Sequence, residues 1–323
     1  WQAASLPQPK ASSLEDVRGA LLADEALVLY AEGNDEILAL VLTKTQASTH
    51  NLGPTRPVRE AAELLGPSEV DATAFDRLRE ALVTPLDLPK TVKSVLVSPH
   101  PAIWSIPLGA LFERPTTWME SGSILVHLRS QVAPPGKGML AVTEAQAEAD
   151  ELDAAVLVGT NASRAQLVER LASRPRWAVL HISCPIELHA EHPLLSCVVL
   201  TPTEGDDGRL LAMDVRRLDL ACDLVVLASC ESARSFSFTG EGPIGLPRAF
   251  VAAGAPRVLA SLWKTDDEAT RALMLKFHTL CGPGKGGGMA PAQALHAAQT
   301  FVRSQDRWSD PRYWAGWVLY GLP

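Results

Sequence analysis

A cysteine and a histidine lie in two apolar runs of this chain, where nucleophilic chemistry could take place. Cys230 ends the run 223–230, DLVVLASC, and His181 lies inside the run 177–184, WAVLHISC. Such runs predict buried strands, and sites in open α/β sheets form at the carboxyl ends of strands. If the two strands are neighbours, an imidazole can take the thiol proton, and the thiolate can attack an acyl carbon. The pattern therefore allows cysteine-dependent acyl chemistry at one edge of a sheet.

Both residues also have a structural interpretation. Cysteine is among the most buried residue types, and a cysteine that ends an apolar strand usually fills the core. His181 follows Leu180 inside its run, so strand alternation can point its ring into the core as a hydrogen-bonded structural histidine. The spacing alone leaves catalysis and core packing both open.

Apolar runs alternate with helical patterns along the whole chain, which predicts a mainly parallel sheet flanked by helices. Strands are predicted at 26–30, 37–43, 92–97, 124–128, 155–158, 177–182, 197–200, 223–227 and 257–262, and helices at 58–65, 73–82, 163–172, 244–253, 266–280 and 290–303. A turn at 33–35 joins the first two strands, and Ser163 is expected to cap its helix. Trp314 and Trp317, three residues apart, are expected to pack on one face of a helix.

The loop-like stretches 134–138 and 144–153 mark a boundary that divides the chain into 1–143 and 144–323.

Composition argues against several classes of function. The formal net charge is −8 and no run of Lys and Arg reaches five residues, so neither nucleic acid nor a membrane surface is an expected partner. No apolar stretch approaches the roughly 20 residues that cross a bilayer. The five cysteines are odd in number and lack CxxC spacing, which predicts neither a disulfide framework nor a metal site, and no cofactor is expected. These features favour a reducing cytoplasm, and a start at Trp1 is expected of a piece of a longer protein.

Five segments carry recognisable motifs. They are 95–111, with VLVSP and IPLGAL; 224–232, LVVLASCES; 240–250, with GEG and GLPRAF; 254–270, with GA, SLW and TDDEAT; and 314–323, WAGWVLYGLP. This set, in this order, resembles the motifs of the CHAT family. The members of that family are cysteine peptidases of the caspase/separase type. The resemblance covers nearly the whole chain.

The resemblance implies a caspase-like α/β fold of two packed halves. Residues 1–143 would be a non-catalytic structural partner, and residues 144–323 would carry Cys230 as the nucleophile of a Cys/His dyad that cleaves peptide bonds. Such domains usually follow tetratricopeptide repeats or another sensor, so a polypeptide substrate or partner and an upstream TPR region are expected. A bacterial signalling or defence protein is the implied setting.

The chain departs from the family at the general base. The family motif HxxxHG supplies the base as its second histidine and an oxyanion-hole N–H from its glycine. Aligned on His181 and on 192–196, this sequence has Pro185 and Ile186 at those places. Proline has no titratable group, and amide cleavage also needs a general acid that contributes about 10²- to 10⁴-fold. Weak or absent peptidase activity is therefore expected.

His181 and His189 are the candidates for a replacement base. His181 lies four residues before Pro185, about 13 Å along a strand that rises about 3.3 Å per residue, so it cannot simply take that place. His189 lies in the following loop and could fold back.

Substrate-binding positions are also implied near the nucleophile and in the later motifs. They are Glu231, Ser232, Glu241, Asp266 and Asp267. The two aspartates suit the positive N-terminal end of the helix that follows whatever the function, and this structural interpretation is favoured for them, whereas Glu241 equally suits substrate binding and a helix cap.

Three hypotheses follow from these residues. The first is a peptidase-like domain that has lost most of its catalysis and binds a polypeptide in the old cleft. The second is an active cysteine endopeptidase that uses Cys230 with a non-standard histidine. The third is a purely structural regulatory module without a cleft.

Overall fold

The computed structural model describes residues 11–65, 71–131, 133–144, 150–229, 231–233, 236–237, 243–283 and 288–323. The chain divides into two compact units, Trp1–Ala133 with Gly321–Pro323, and Pro134–Tyr320. The division comes before the buried strand Met139–Thr143, whereas the sequence boundary comes after it. The roles predicted for the halves 1–143 and 144–323 stay a prediction.

The first unit contains a mixed sheet with helices. Its strands are β1 (Glu25–Gly33), β2 (Glu36–Thr43), β3 (Ala47–Pro54), β4 (Ser94–Ser98) and β5 (Thr116–Trp118), and its helices are α1 (Leu14–Ala20), α2 (Thr55–Glu63), α3 (Ala72–Leu82), α4 (Leu108–Phe112) and α5 (Gly122–Ser130). The order is β3-β2-β1-β4-β5, with β1, β4 and β5 parallel and β2 antiparallel to both neighbours. The predicted hairpin turn is confirmed, since Asn34 and Asp35 have φ values of 54° and 62°.

The second unit carries the elements of interest. Its strands are β6 (Met139–Thr143), β7 (Ala155–Val158), β8 (Trp177–Ser183), β9 (Ile186–Glu187), β10 (Cys197–Val199), β11 (Arg209–Leu211), β12 (Cys222–Leu227), β13 (Phe236–Ser237), β14 (Pro243–Ile244), β15 (Arg257–Ser261) and β16 (Trp317–Gly321). Its helices are α6 (Arg164–Ala172), α7 (Ala212–Val215), α8 (Leu246–Ala252), α9 (Asp267–Cys281) and α10 (Pro291–Arg303). The main sheet has the order β16-β15-β12-β8-β6-β7, and β7, β6, β8, β12 and β15 run parallel. The strands β11, β10 and β9 form a small separate sheet.

Strands β8 and β12 each lie between two other strands of the sheet, and their apolar residues are buried on both faces. Leu180, Ile182, Val225 and Val226 are each 0 or 1% exposed, which is typical of a parallel strand covered by helices on both sides. The two strands pair in register from Cys222 opposite Trp177 onward. The sequence-based assumption that these strands are neighbours is confirmed.

Two local predictions are wrong. Residues 124–128 form part of helix α5 and not a strand, because Ser121 caps the segment by accepting the Ile124 N–H, and the buried Leu125 and Leu128 lie on one helical face. Trp314 and Trp317 are buried as expected but share no helix, since Trp317 lies in strand β16. Within the described ranges, none of the helices has the length and apolar character to cross a membrane.

Candidate functional site

The carboxyl ends of β8 and β12 lie side by side. The Ala228 N–H donates to the Ile182 carbonyl over 2.8 Å, and the Ser229 hydroxyl donates to the Cys184 carbonyl. Cys230 follows Ser229 directly in the sequence but lies outside the described residues. The candidate nucleophile is therefore preceded by a segment that is tied to the end of β8.

Pro185 lies at this edge, two residues after the end of β8. Its ring is exposed, and its carbonyl accepts the Val199 N–H over 2.8 Å. Ile186 continues into β9, where it pairs with Val198. Because this backbone is anchored and the proline side chain holds no lone pair, the position expected to supply a base offers none.

His181 lies in the core, as the structural interpretation predicts. Its ring is 0% exposed, and its Nδ1 lies 3.0 Å from Nε2 of His278, with the ring centroids 5.0 Å apart. His278 lies near the end of helix α9 and is 9% exposed. One nitrogen of the pair must donate and the other must accept, so the contact joins helix α9 to the middle of the sheet.

His189 lies in the loop that follows β9 and is exposed. Its N–H donates to the Ser196 hydroxyl over 3.0 Å, and its Nδ1 accepts the His192 N–H over 3.0 Å. The loop thus already uses one of the two ring nitrogens of His189. A role as the base requires the other nitrogen and stays a prediction.

The residues after the candidate nucleophile have distinct environments. Glu231 is half-buried and has a φ of 56°, a left-handed conformation that is uncommon for a non-glycine residue. Ser232 is fully buried: its hydroxyl donates to the Leu227 carbonyl and accepts the Ser261 N–H, each over 2.9 Å, which links β12 to β15. Glu241 lies outside the described residues. Substrate binding by these three side chains stays a prediction.

Asp266 and Asp267 lie at the start of helix α9. Asp266 is the N-cap, and its carboxylate accepts the Ala269 N–H over 2.9 Å. Asp267 is exposed in the first helical turn. The two aspartates therefore differ. Asp266 caps the helix, whereas Asp267 is exposed and also lines the cavity described below.

Replacing Asp266 by Ala should lower the free energy of unfolding by about 1 kcal/mol, because the Ala269 N–H loses its acceptor. Replacing it by Ser should restore most of the loss, since Ser is an equally good N-cap. Urea denaturation of the three proteins measures this. Equal stability of D266A and the parent chain would contradict the capping role.

A cavity of about 290 Å³ lies between helix α9 and the ends of β8 and β12. Its lining includes His181, Ser183, Ala228, Asp267, Arg271 and Met274. The α9 positions 267, 271 and 274 share one helical face, and His278 is the next residue of that stripe. The cavity thus opens beside the strand ends that carry Pro185 and precede Cys230.

Sequence reasoning missed His278 and the helix face that lines the cavity. The 3.6-residue periodicity of 267–281 places these residues on one face, but which strand that face covers is a tertiary property. No cluster of three or more His, Cys, Asp or Glu side chains with metal-binding geometry occurs among the residues that the structure describes.

Burial makes three other thiols poor nucleophiles. It raises the pKa of Cys222 and of Cys281 to about 12 each, and it also raises the pKa of Cys197. In each case the thiolate loses the solvation that stabilises its charge. These cysteines therefore form little thiolate near neutral pH.

The comparisons with known proteins agree with this architecture. Human tetratricopeptide repeat protein 28 is 38% identical over 112 residues, and the mouse protein of the same name is 35% identical over 112 residues. The match covers 35% of this chain and only 4% of each of those proteins.

The fold is similar to that of the Saccharomyces cerevisiae separase–securin complex, with a TM-score of 0.62 at 9% identity. That match covers 96% of this chain and 31% of the other. The predicted α/β fold of the caspase/separase type is therefore confirmed. The model of the CHAT domain matches residues 133–322, which is more than half of the chain. The chain belongs to the CHAT domain family.

Proposed function

We propose that this CHAT domain is a pseudo-peptidase that binds a polypeptide at the carboxyl ends of β8 and β12 and cleaves it weakly or not at all. The observation that carries the proposal is that Pro185 is exposed and has no proton acceptor, and the motif alignment assigns the family's general base to this position. His181 does not compensate, because its ring is buried and bonded to His278.

Polypeptide binding is supported by what remains at this edge. The cavity beside Ser183 and Ala228 is open to a ligand, which a purely structural module would not need. Separase is seen in complex with the protein securin, and the same kind of partner is proposed here. An upstream TPR region is proposed from the tetratricopeptide repeat relatives. A bacterial signalling or defence setting and a cytoplasmic location stay predictions.

An active endopeptidase with His189 as the base is the alternative. It is favoured by the exposure of the His189 ring, which lies in the loop that follows β9. It requires Nε2 of the His189 ring to reach the Cys230 thiol, whether or not Nδ1 keeps the hydrogen bond from the His192 N–H.

The test uses a fluorescent peptide library with the parent chain and the variant Cys230→Ala. We expect both proteins to retain the same peptides, and mass spectrometry to find those peptides intact after long incubation. Cleavage by the parent chain that C230A and His189→Ala both abolish would establish the alternative. Failure of both proteins to retain any peptide would leave only a structural role.

A further inference from the structure

The cavity beside His181 has the size of a site for one side chain. Its volume is about 290 Å³, at the lower end of the range for small-molecule pockets. Four of its lining residues are apolar and come from three parts of the chain. They are Leu152, Ala228, Met274 and Leu275. Such a wall set favours a ligand group with an apolar body.

The charges at the rim are already used or exposed. Glu151 is held by Arg271, whose Nε donates to Oε2 over 2.8 Å and whose Nη2 donates to Oε1. Asp267 is exposed at the helix start. A bound cation would gain little binding free energy from Asp267, because an ion pair with an exposed carboxylate is weak. A bound cation that paired with Glu151 would only replace the existing ion pair with Arg271. Because a cation inside the cavity would also lose its hydration, a charged ligand group is disfavoured.

Hydroxyl groups supply an uncharged polar part of the lining. Ser183 is half-exposed at the end of β8, and Thr270 lines the cavity while its hydroxyl lies 2.8 Å from that of Thr265. His181 also lines the cavity, and its ring is held by the contact with His278. Uncharged groups of this kind can hydrogen-bond a neutral tip without requiring a counter-charge.

We infer that this cavity receives one large, uncharged side chain of a bound polypeptide, with an aromatic body and a hydroxyl tip, as in tyrosine. The inference rests on the proposed function and names the side-chain class that the site selects. The aromatic ring would pack against the apolar lining residues, and its hydroxyl would hydrogen-bond the Ser183 hydroxyl.

Side-chain analogues test this without a known partner. The full chain is labelled at the methionine methyl groups, and the Met274 signal among the five methionines is assigned with Met274→Leu. The titrants are p-cresol, toluene, n-propylguanidinium and n-butylammonium. We expect p-cresol to shift the Met274 signal saturably and to bind at least about tenfold more tightly than either cation. Toluene should bind more weakly than p-cresol.

Two variants fill the cavity from different sides, so that a folding failure of one does not end the test. Ala228→Leu and Leu275→Trp should each abolish the p-cresol shift, while the methionine spectrum outside the cavity stays folded. Tighter binding of n-propylguanidinium, or no saturable shift with p-cresol, overturns the inference.

The peptide library separates this inference from the proposed function. Retained peptides should be enriched in tyrosine, and the cavity variants should lose them. Peptide retention that neither variant changes overturns the inference and leaves polypeptide binding intact. Saturable p-cresol binding without any peptide retention overturns the proposed function and keeps the cavity as a site for uncharged aromatic groups.

Discussion

Replacing Pro185 by His and Ile186 by Gly together should raise the rate of peptide-bond cleavage by about 10²- to 10⁴-fold. The histidine restores a proton acceptor for the thiol and a donor for the leaving amine, and acid–base catalysis contributes about this much. The fold should tolerate the change, because Pro185 is exposed. The hydrogen bond that its carbonyl accepts from the Val199 N–H is a backbone contact and does not depend on the side chain. The rate is measured on a fluorogenic peptide library.

Two variants control this experiment. Pro185→Ala with Ile186→Gly removes the proline and adds the glycine without a base, and should stay near the parent rate. Adding Cys230→Ala to the restored variant should remove the gain. A restored variant that is folded, has a reactive thiol and cleaves no faster than the parent would show that more than the base is missing.

Replacing His181 by Ala should lower the free energy of unfolding by about 2 to 4 kcal/mol. The change opens a cavity in the central strand and removes the partner of the His278 Nε2. His278→Ala should also destabilise, and the double variant should lose less than the sum of the single losses by about 0.5 to 3 kcal/mol, because the two rings act on one contact. Urea denaturation of the four proteins gives the coupling free energy.

His189→Ala is the matched control, since the ring is exposed, and it should change stability by no more than about 0.5 kcal/mol. His181→Asn, which keeps a hydrogen-bonding group near the position of Nδ1, should recover part of the loss. Additive losses from His181→Ala and His278→Ala would contradict the direct contact.

Much of the second unit can be predicted from residue patterns. Strands β8 and β12 are long apolar runs buried on both faces, so their sequence carries a strong and unambiguous signal. Ser163 caps helix α6 as expected, with its hydroxyl accepting the Gln166 N–H, because the capping signal is local.

Other features depend on contacts that no local pattern contains. Residues 124–128 are apolar and short enough to suit either a strand or a helix, and the cap from Ser121 decides for the helix. His278 lies 97 residues from His181 and meets it only because helix α9 crosses β8. The ion pair of Glu151 with Arg271 spans a similar separation, 120 residues, so the rim of the cavity could not be derived from spacing.

The reactivity of the Cys230 thiol against pH tests the central claim most directly. Iodoacetamide labelling of the five cysteines, mapped by mass spectrometry, gives the rate at each position. Cys222 and Cys281, whose pKa values burial raises to about 12, serve as internal controls that should stay unlabelled near neutral pH. Without an imidazole partner, the Cys230 rate should rise with a midpoint near the ordinary thiol pKa of about 8.5. A midpoint well below 7 in the unaltered chain would show that a neighbouring group stabilises the thiolate and would contradict the account.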